Sequence, residues 1–129
     1  MEKFKARPIA HNLFKNVSLE ECVALLEKSD MGTAMFRPSG HSNTTFNLSW
    51  RCSKEPFAVK HESIEERTSA NEQKAAGDYS LGAKLFMDTV EYSDLDEIVA
   101  LHVEPQAMFI REVCFSFPRI TYYLKTTKT

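Results

Sequence analysis

Three runs of strand-like sequence follow one another closely, and this order limits the fold more than any other feature of the chain. The runs are TAMFR (33–37), TTFNLSW (44–50) and FAVKHESI (57–64). The second run alternates, with Phe46, Leu48 and Trp50 on one face, which is typical of a strand buried on one side. Parallel neighbours need a long crossover, whereas these connections are short. The sequence therefore predicts a three-stranded antiparallel meander, with Trp50 in the core.

A helical pattern precedes the meander. In VSLEECVALLEKSDMG (17–32), Ser18 and Glu21 form an S-x-x-E capping box. Cys22 lies on the apolar face of this pattern, where we expect it to belong to the core. The sequence therefore predicts a first helix that packs on one face of the sheet.

A second helical pattern follows the meander, in YSDLDEIVALHV (92–103). Ser93 is the expected N-cap, and the acidic residues after it suit the positive end of a helix. Pro105 can open a further helical stretch. An antiparallel sheet with a helix on each face is an α+β layer architecture.

The segment between the meander and the second helix is less regular. EERTSANEQKAAGD (65–78) is polar, and we expect a mobile, solvated loop there. AKLFM (83–87) can form a small extra strand.

The composition of the chain indicates one soluble domain of 129 residues, 43% hydrophobic and 26% charged. No apolar run approaches the ~20 residues of a membrane span, and the charged N-terminus lacks a signal-peptide core, so we expect an intracellular protein. The three cysteines are too few and too widely spaced for a metal site or a disulfide framework. Residues 61–104 hold three Lys or Arg against eleven Asp or Glu, and no segment is basic enough to favour nucleic-acid binding.

Arg37 stands at the end of the first strand-like run, in GTAMFRPSG (32–40). A guanidinium stays charged in a protein, and burying it without a partner is very costly. Arg37 therefore either points to water, pairs with a surface carboxylate, or meets an anionic ligand.

Read as a unit, the order helix, meander, loop and helix resembles a Src-homology-2 domain. The run GTAMFRPS is similar to the phosphate-binding strand of that family, and VKHESI resembles the strand that carries a histidine in the peptide site. A closer resemblance is to the first of two tandem Src-homology-2 domains in the Spt-six family of transcription elongation factors and histone chaperones. It covers about residues 7–112 and rests on fragments in order, which are IAHNLFKNVS, RPSGHSNTTFNLSW, SLGAKL and DLDEIVALHVEP.

The resemblance implies a fold and a set of boundaries. The expected fold is α+β, with a central three-stranded antiparallel sheet, one helix on each face and an extra C-terminal helix. Residues 1–16 would be an N-terminal extension and entry strand, 17–104 the Src-homology-2 domain, and 105–129 a C-terminal helix and the start of a linker to a second domain.

The resemblance also implies a binding site, with no catalytic residue, metal or cofactor. Its expected phosphate-binding residues are Arg37, Ser39, Gly40, His41 and Ser42, and its expected peptide-binding residues are His61 and Ser63. Arginine suits this chemistry because its planar fork can bind two phosphate oxygens at once. The hydroxyls and successive backbone N–H groups of the loop can add further donors.

The chain departs from the pattern of the family where charge is expected. Gly40 and His41 stand where the Spt-six family often has serine and lysine, and Leu19 and Ser63 stand near positions where many signalling members have arginine and lysine. Few other charged side chains would therefore assist Arg37. This favours weaker binding of the phosphate and recognition of a longer peptide motif around it.

The implied function is a nuclear, phosphopeptide-binding module of a transcription elongation factor. It would recognise phosphorylated Thr, Ser or Tyr in the linker or C-terminal tail of the largest RNA polymerase II subunit, and a second Src-homology-2 domain of the same chain would be its other partner. The alternatives are a structural interaction domain with a vestigial pocket and a phosphotyrosine adaptor in signalling. Four apolar residues after the second helix would pack either on the second domain or inside this one: Met108, Phe109, Val113 and Phe115.

Enzymatic, membrane and nucleic-acid functions are not expected. The sequence contains no nucleophile–base pair, metal cluster or Gly-rich phosphate motif with catalytic partners. Cys52 and His61 lie on neighbouring predicted strands, but nothing in the sequence orients them toward each other.

Overall fold

The computed structural model describes residues 4–40, 42–69 and 72–116, and it describes side chains as far as residue 111. The helices are α1 (Leu19–Glu27), α2 (Leu95–Ile98) and α3 (Glu104–Ser116), with a π-helical segment, Val99–Val103, between the last two. The strands are β1 (Ala34–Pro38), β2 (Thr45–Ser53), β3 (Ala58–Ser69), β4 (Glu72–Gln73), β5 (Lys84–Met87) and β6 (Val90–Tyr92).

The central sheet contains the predicted meander and extends beyond it. Strands β1, β2 and β3 pair antiparallel in sequence order, which confirms the prediction. The sheet continues with β5 and β6, and β4 pairs with the end of β3, so it has six strands rather than the three expected. Strand β5 confirms the small extra strand predicted at 83–87.

The prediction of a mobile, solvated loop at 65–78 is wrong for residues 65–69, which continue β3, and for the buried Lys74, whereas residues 72–73 and 75–77 are exposed as expected. Strand β3 continues to Ser69 and turns back into β4. Glu66 and Lys74 are buried in this segment because their charges pair with each other, and Glu66 also pairs with Arg7. A polar segment can fold inward when its charges meet partners there.

The two faces of the sheet bury different side chains, as alternation along a strand requires. Trp50, fully buried as predicted, lies in the larger cluster with core residues of β1, β3, β5 and the C-terminal helices. The other face carries a smaller cluster under α1, which consists of Cys22, Leu26, Met35 and Val59. The burial predicted for Cys22 is therefore confirmed.

The first helix begins at the predicted capping box. The Ser18 hydroxyl accepts from the backbone N–H of Glu21, and the Glu21 carboxylate accepts from the N–H of Ser18. The last turn of α1 has no basic residue of its own. Arg51 of β2 supplies the positive charge at the C-terminal end of α1. Its Nη1 donates to the carbonyls of Leu26, Glu27 and Ser29.

The second helix begins one residue later than predicted. Asp94, not Ser93, is its N-cap, and its carboxylate accepts from the N–H of Glu97 at 2.8 Å. The helix then widens into the π-helical segment, where the N–H of Glu104 donates to the carbonyl of Val99. Pro105 is the second residue of α3 and has no N–H to donate to the preceding turn, and the π-helical segment lies directly before it in the chain. Within the described residues, no helix has the length and apolar character needed to cross a membrane.

Candidate functional site

Arg37 lies near the end of β1, on the face of the sheet that α1 covers. Its Nε donates to the Oγ of Ser49 on β2 at 3.3 Å. Among the residues that the structure describes, no carboxylate lies within ion-pair distance of the Arg37 guanidinium. Pairing with a surface carboxylate, one of the three alternatives for this residue, is therefore not seen in the described part of the chain.

The Ser49 hydroxyl joins Arg37 to a histidine on the next strand. Its Oγ lies 2.7 Å from the Nδ1 of His61. The register places Ser49 opposite both Met35 of β1 and His61 of β3, so the three strands converge on this hydroxyl. Ser49 is fully buried, whereas Arg37 and His61 are half-buried. The buried Ser49 hydroxyl thus connects the two half-buried side chains of Arg37 and His61 in one hydrogen-bonded group.

Sequence reasoning assigned no role to Ser49. The alternation of β2 placed Ser49 on the face opposite Trp50. The one signal in the sequence that could have indicated a role was a small hydroxyl residue on the face of the sheet that carries Arg37. The partner of that hydroxyl depends on the register of three strands, which the sequence of one strand does not reveal.

Cys22 extends from α1 toward the same group of side chains. Burial raises the pKa of its thiol, although contacts with Ser49 and the charge of Arg37 oppose this effect. Its side chain is fully buried. The thiol is therefore protonated at neutral pH and lines the inner wall of the site as a small apolar group.

The loop after β1 carries most of the other predicted phosphate-binding residues. Gly40 is exposed and has a φ of +58°, a left-handed conformation that glycine adopts easily. The N–H of Ser42 donates to the carbonyl of Ser39 at 3.1 Å, and the Oγ of Ser42 accepts from the N–H of Thr44 at 3.1 Å. These bonds connect Ser39, Ser42 and Thr44 in a compact arrangement that follows Arg37 in the chain. His41 lies outside the described residues.

Ser63 shares a face of the sheet with Arg37. The register aligns Arg37 with Asn47, and Asn47 with Ser63, so the three residues form one row across the strands. Ser63 is exposed. Leu19, the first residue of α1, is 46% exposed and, like Ser63, brings no charge to the site. The described part of the site thus combines one arginine with hydroxyls and a histidine.

The described residues contain no group of three or more His, Cys, Asp or Glu side chains that could hold a metal ion. The donors that the site does present are a guanidinium, hydroxyls and loop amides. Donors of this kind suit an oxyanion, and a phosphate ester is the anion that combines charge with several acceptor oxygens.

Comparison with known proteins identifies the family. A family model described as an SH2 domain matches residues 1–125. This chain belongs to the SH2 domain family. The resemblance inferred from the sequence is thereby confirmed.

The relatives of this SH2 domain include transcription elongation factors. It is 36% identical to transcription elongation factor SPT6 of Drosophila melanogaster over 110 residues. The aligned region covers 85% of this chain and 6% of that protein. It is 30% identical to transcription elongation factor spt6 of Schizosaccharomyces pombe over 119 residues, and this aligned region covers 88% of this chain and 8% of that protein. The Suppressor of Ty 6 homolog of Caenorhabditis elegans is 30% identical over 110 residues, or 83% of this chain and 6% of that protein. The chain thus spans less than a tenth of the length of these relatives.

A solved structure shows the same fold. This SH2 domain superposes with a TM-score of 0.69 and 20% identity on a tandem SH2 domain in transcription elongation factor Spt6, which binds the phosphorylated RNA polymerase II C-terminal repeat domain. The match covers 84% of this chain and 52% of that one. It confirms the predicted SH2-like α+β fold.

Proposed function

We propose that this SH2 domain is a phosphopeptide-binding module of a transcription elongation factor, and that Arg37 binds the phosphate. The observation that carries the proposal is the half-buried Arg37 guanidinium, which is held by a hydroxyl and has no carboxylate partner among the described residues. A cation in this position is costly unless an anion or water meets it. A phosphate group supplies both the charge and the acceptor oxygens.

The Ser49 contact orients the arginine for this task. Because the Nε donates to Ser49, the planar guanidinium is fixed at one corner, and its Nη groups can meet two phosphate oxygens. The adjoining turn contributes Ser39, Gly40, His41 and Ser42 as further phosphate-binding residues, through hydroxyl and backbone donors.

The peptide beside the phosphate lies along β3 in this proposal. His61 and Ser63 occupy alternate positions of that strand on the face of Arg37, so both can contact the phosphorylated residue or its neighbours. Because Ser63 and Leu19 are neutral, the site carries less positive charge than a site that binds an isolated phosphotyrosine tightly. Phosphorylated Thr, Ser or Tyr within a longer recognised motif suits such a site.

The proposed partner is the linker or C-terminal tail of the largest RNA polymerase II subunit, in the nucleus. Two observations support it. The relatives named above are transcription elongation factors, and the tandem SH2 domain of Spt6 binds the phosphorylated RNA polymerase II C-terminal repeat domain. A polymerase tail is rich in phosphate esters when phosphorylated, which is the ligand chemistry of the Arg37 site.

The proposed role is binding without catalysis. Cys52, which was predicted to lie on the strand next to that of His61, belongs to the core cluster with Trp50. His61 lies on the opposite face, where its Nδ1 is engaged with Ser49. The sheet therefore separates the thiol from the imidazole that would have to activate it.

A peptide titration tests the proposal. Polymerase linker and C-terminal repeat peptides, each unphosphorylated, singly phosphorylated and doubly phosphorylated, are titrated by fluorescence anisotropy into the wild type and Arg37→Ala. We expect phosphate-dependent binding that Arg37→Ala weakens by about 2–3 kcal/mol, the value of a charge-assisted bidentate contact. Arg111→Ala is the matched control, because Arg111 is exposed and donates to the Met31 carbonyl in the turn before β1.

Three outcomes of that titration decide between the candidates. Binding that does not depend on phosphate, or that Arg37→Ala leaves unchanged, overturns the proposal. Preference for an isolated phosphotyrosine indicates a signalling adaptor.

The second candidate is a structural interaction domain that packs on a second SH2 domain. Leu101, Met108 and Phe109 are between 60% and 65% exposed on the C-terminal helical segment. Burial of Met108 and Phe109 inside this domain, one of the two alternatives for them, is therefore wrong, whereas the side chains of Val113 and Phe115 lie outside the described residues. In this candidate, 17–104 is the SH2 domain, 1–16 is its extension, and 105–129 leads to the partner domain.

A further inference from the structure

A buried cluster of three charges lies behind the loop that follows β1. Glu66 is fully buried, and its carboxylate accepts from Arg7 through Nη1 at 2.6 Å and Nη2 at 2.8 Å. Lys74, 6% exposed, donates from Nζ to the same carboxylate at 3.1 Å. We call Arg7, Glu66 and Lys74 the Glu66 cluster. Two cations share one carboxylate, so the cluster carries a net positive charge.

Lys74 connects this cluster to the loop. Its Nζ donates to the carbonyl of Asn43 at 2.8 Å. The side chain of Asn43 also bonds the segment after Lys74. Its Nδ2 donates to the carbonyls of Ala75 at 2.8 Å and Asp78 at 3.0 Å. Three hydrogen bonds therefore fix Asn43 against the segment that begins with Lys74.

Four carbonyls of the described loop residues accept hydrogen bonds from N–H groups of the protein. The Ser39 carbonyl accepts from Ser42 N and the Gly40 carbonyl from Lys5 N. The Asn43 carbonyl accepts from Lys74 Nζ and the Thr44 carbonyl from Glu66 N. A bound anion is repelled by carbonyl oxygens and attracted by N–H groups. Carbonyls that are engaged in this way cannot rotate toward the anion.

We propose that Lys74 is a positioning residue for the phosphate loop, which we define as Ser39, Gly40 and residues 42–44, and that it places a buried positive charge behind that loop. The inference rests on the proposed function of Arg37. It explains how a site with the neutral residues Leu19, Gly40 and Ser63 can hold a dianion. The second cation of the site lies behind the loop backbone, where it fixes a carbonyl and does not contact the ligand.

The variant Lys74→Met separates this role from folding. It removes the excess cation and leaves Arg7 and Glu66 as a neutral, bidentate pair. Lys84→Met is the matched control, because Lys84 forms an exposed ion pair with Glu91 at 2.9 Å on β5 and β6. Val103→Ala is a control for lost stability, since Val103 is fully buried among the helices.

The experiment measures the ratio of Kd values for doubly phosphorylated and unphosphorylated polymerase linker peptides, at a temperature where every variant is folded. Amide ¹H–¹⁵N shifts of the phosphate loop are recorded in the free proteins. We expect Lys74→Met to reduce the preference for phosphate about tenfold and to move the loop shifts. We expect neither control to do so.

Three results would overturn the inference. The first is an unchanged phosphate preference in Lys74→Met, when Arg37→Ala abolishes that preference. The second is an equal loss in Val103→Ala, which would assign the effect to stability alone. The third is a wild type without phosphate-dependent binding, which overturns the proposed function as well. If Lys74→Met does not fold, Asn43→Ala takes its place, because it removes two of the three bonds and no charge; an unchanged preference there overturns the inference too.

Discussion

The Nε of Arg37 donates to the Oγ of Ser49 across 3.3 Å, and this contact fixes one corner of the guanidinium against the buried part of the sheet. The same oxygen lies 2.7 Å from His61 Nδ1. One buried hydroxyl therefore sets the position of the two side chains that are proposed to meet the phosphorylated residue. The orientation of Arg37 should consequently depend on a residue that itself reaches no ligand.

Ser49→Ala tests that dependence. We expect the affinity for a phosphorylated linker peptide to fall about tenfold, because the guanidinium loses one hydrogen bond and with it a fixed orientation. The free energy of unfolding should change by about 1 kcal/mol, since Arg37 and His61 are half-buried and can turn to water. Peptide titration and urea unfolding measure the two effects.

Ser53→Ala is the matched control for that variant. Ser53 lies on the same strand and is also buried, but its hydroxyl has no hydrogen-bond partner in the described part of the chain. We expect unchanged peptide affinity and an unfolding free energy that is equal or about 1 kcal/mol higher, because an unsatisfied buried hydroxyl is removed. A loss of affinity equal to that of Ser49→Ala would mean that any change in β2 disturbs the site.

Glu66→Gln tests the buried charge cluster as a stabilising unit. Removing the carboxylate leaves Arg7 and Lys74 buried without their anion, so the free energy of unfolding should fall by about 3–5 kcal/mol. Glu65→Gln, one residue earlier, should change it by less than about 1 kcal/mol, because Glu65 is 41% exposed and pairs with Arg67 at the surface. Urea unfolding followed by circular dichroism compares the pair, and equal effects would contradict the importance assigned to the cluster.

The hydrogen-bonded contact between Glu62 of β3 and His102 of the π-helical segment predicts a pH dependence of stability. Burial alone would raise the pKa of the Glu62 carboxyl, but the hydrogen bond and charge of His102, with help from Trp50 and Lys60, outweigh it and lower the pKa below its ordinary value. A carboxyl with a lowered pKa in the folded state stabilises the fold above its ordinary pKa of about 4.3. That contribution is lost as the pH falls below this value and through the folded-state pKa.

Thermal unfolding of the wild type and Glu62→Gln from pH 7 to pH 3 measures this contribution. The wild type should have the higher Tm at pH 6, and the difference should shrink as the pH falls below about 4.3. Glu55→Gln, in the exposed turn between β2 and β3, should show no such difference. A difference for Glu62→Gln that persists unchanged at pH 3 would mean that the effect is not electrostatic.

Much of the frame of the site could be predicted from the sequence. The capping box fixed the start of α1, the alternation of β2 indicated its buried face, and the charge of Arg37 after an apolar run indicated an anion or water at the strand end. These signals are local, because helix caps and strand alternation involve residues that are close along the chain.

The remainder depends on contacts between distant residues. The polar composition of 65–78 indicated solvent, but Glu66 meets Arg7, which lies 59 residues earlier. The position of Ser49 beside Arg37 and His61 depends on the register of three strands. No local pattern specifies a partner at such a separation, so the supports of the phosphate loop became visible only in the structure.

The Nε–Hε resonance of Arg37 gives the most direct test of the central claim. It is followed in ¹H–¹⁵N spectra while a phosphorylated linker peptide is titrated into the wild-type chain, with the unphosphorylated peptide as control. If Arg37 binds the phosphate, this resonance should shift and saturate at the same peptide concentration as the amides of the phosphate loop. Binding of the phosphorylated peptide that leaves the Arg37 resonance unmoved would contradict the claim.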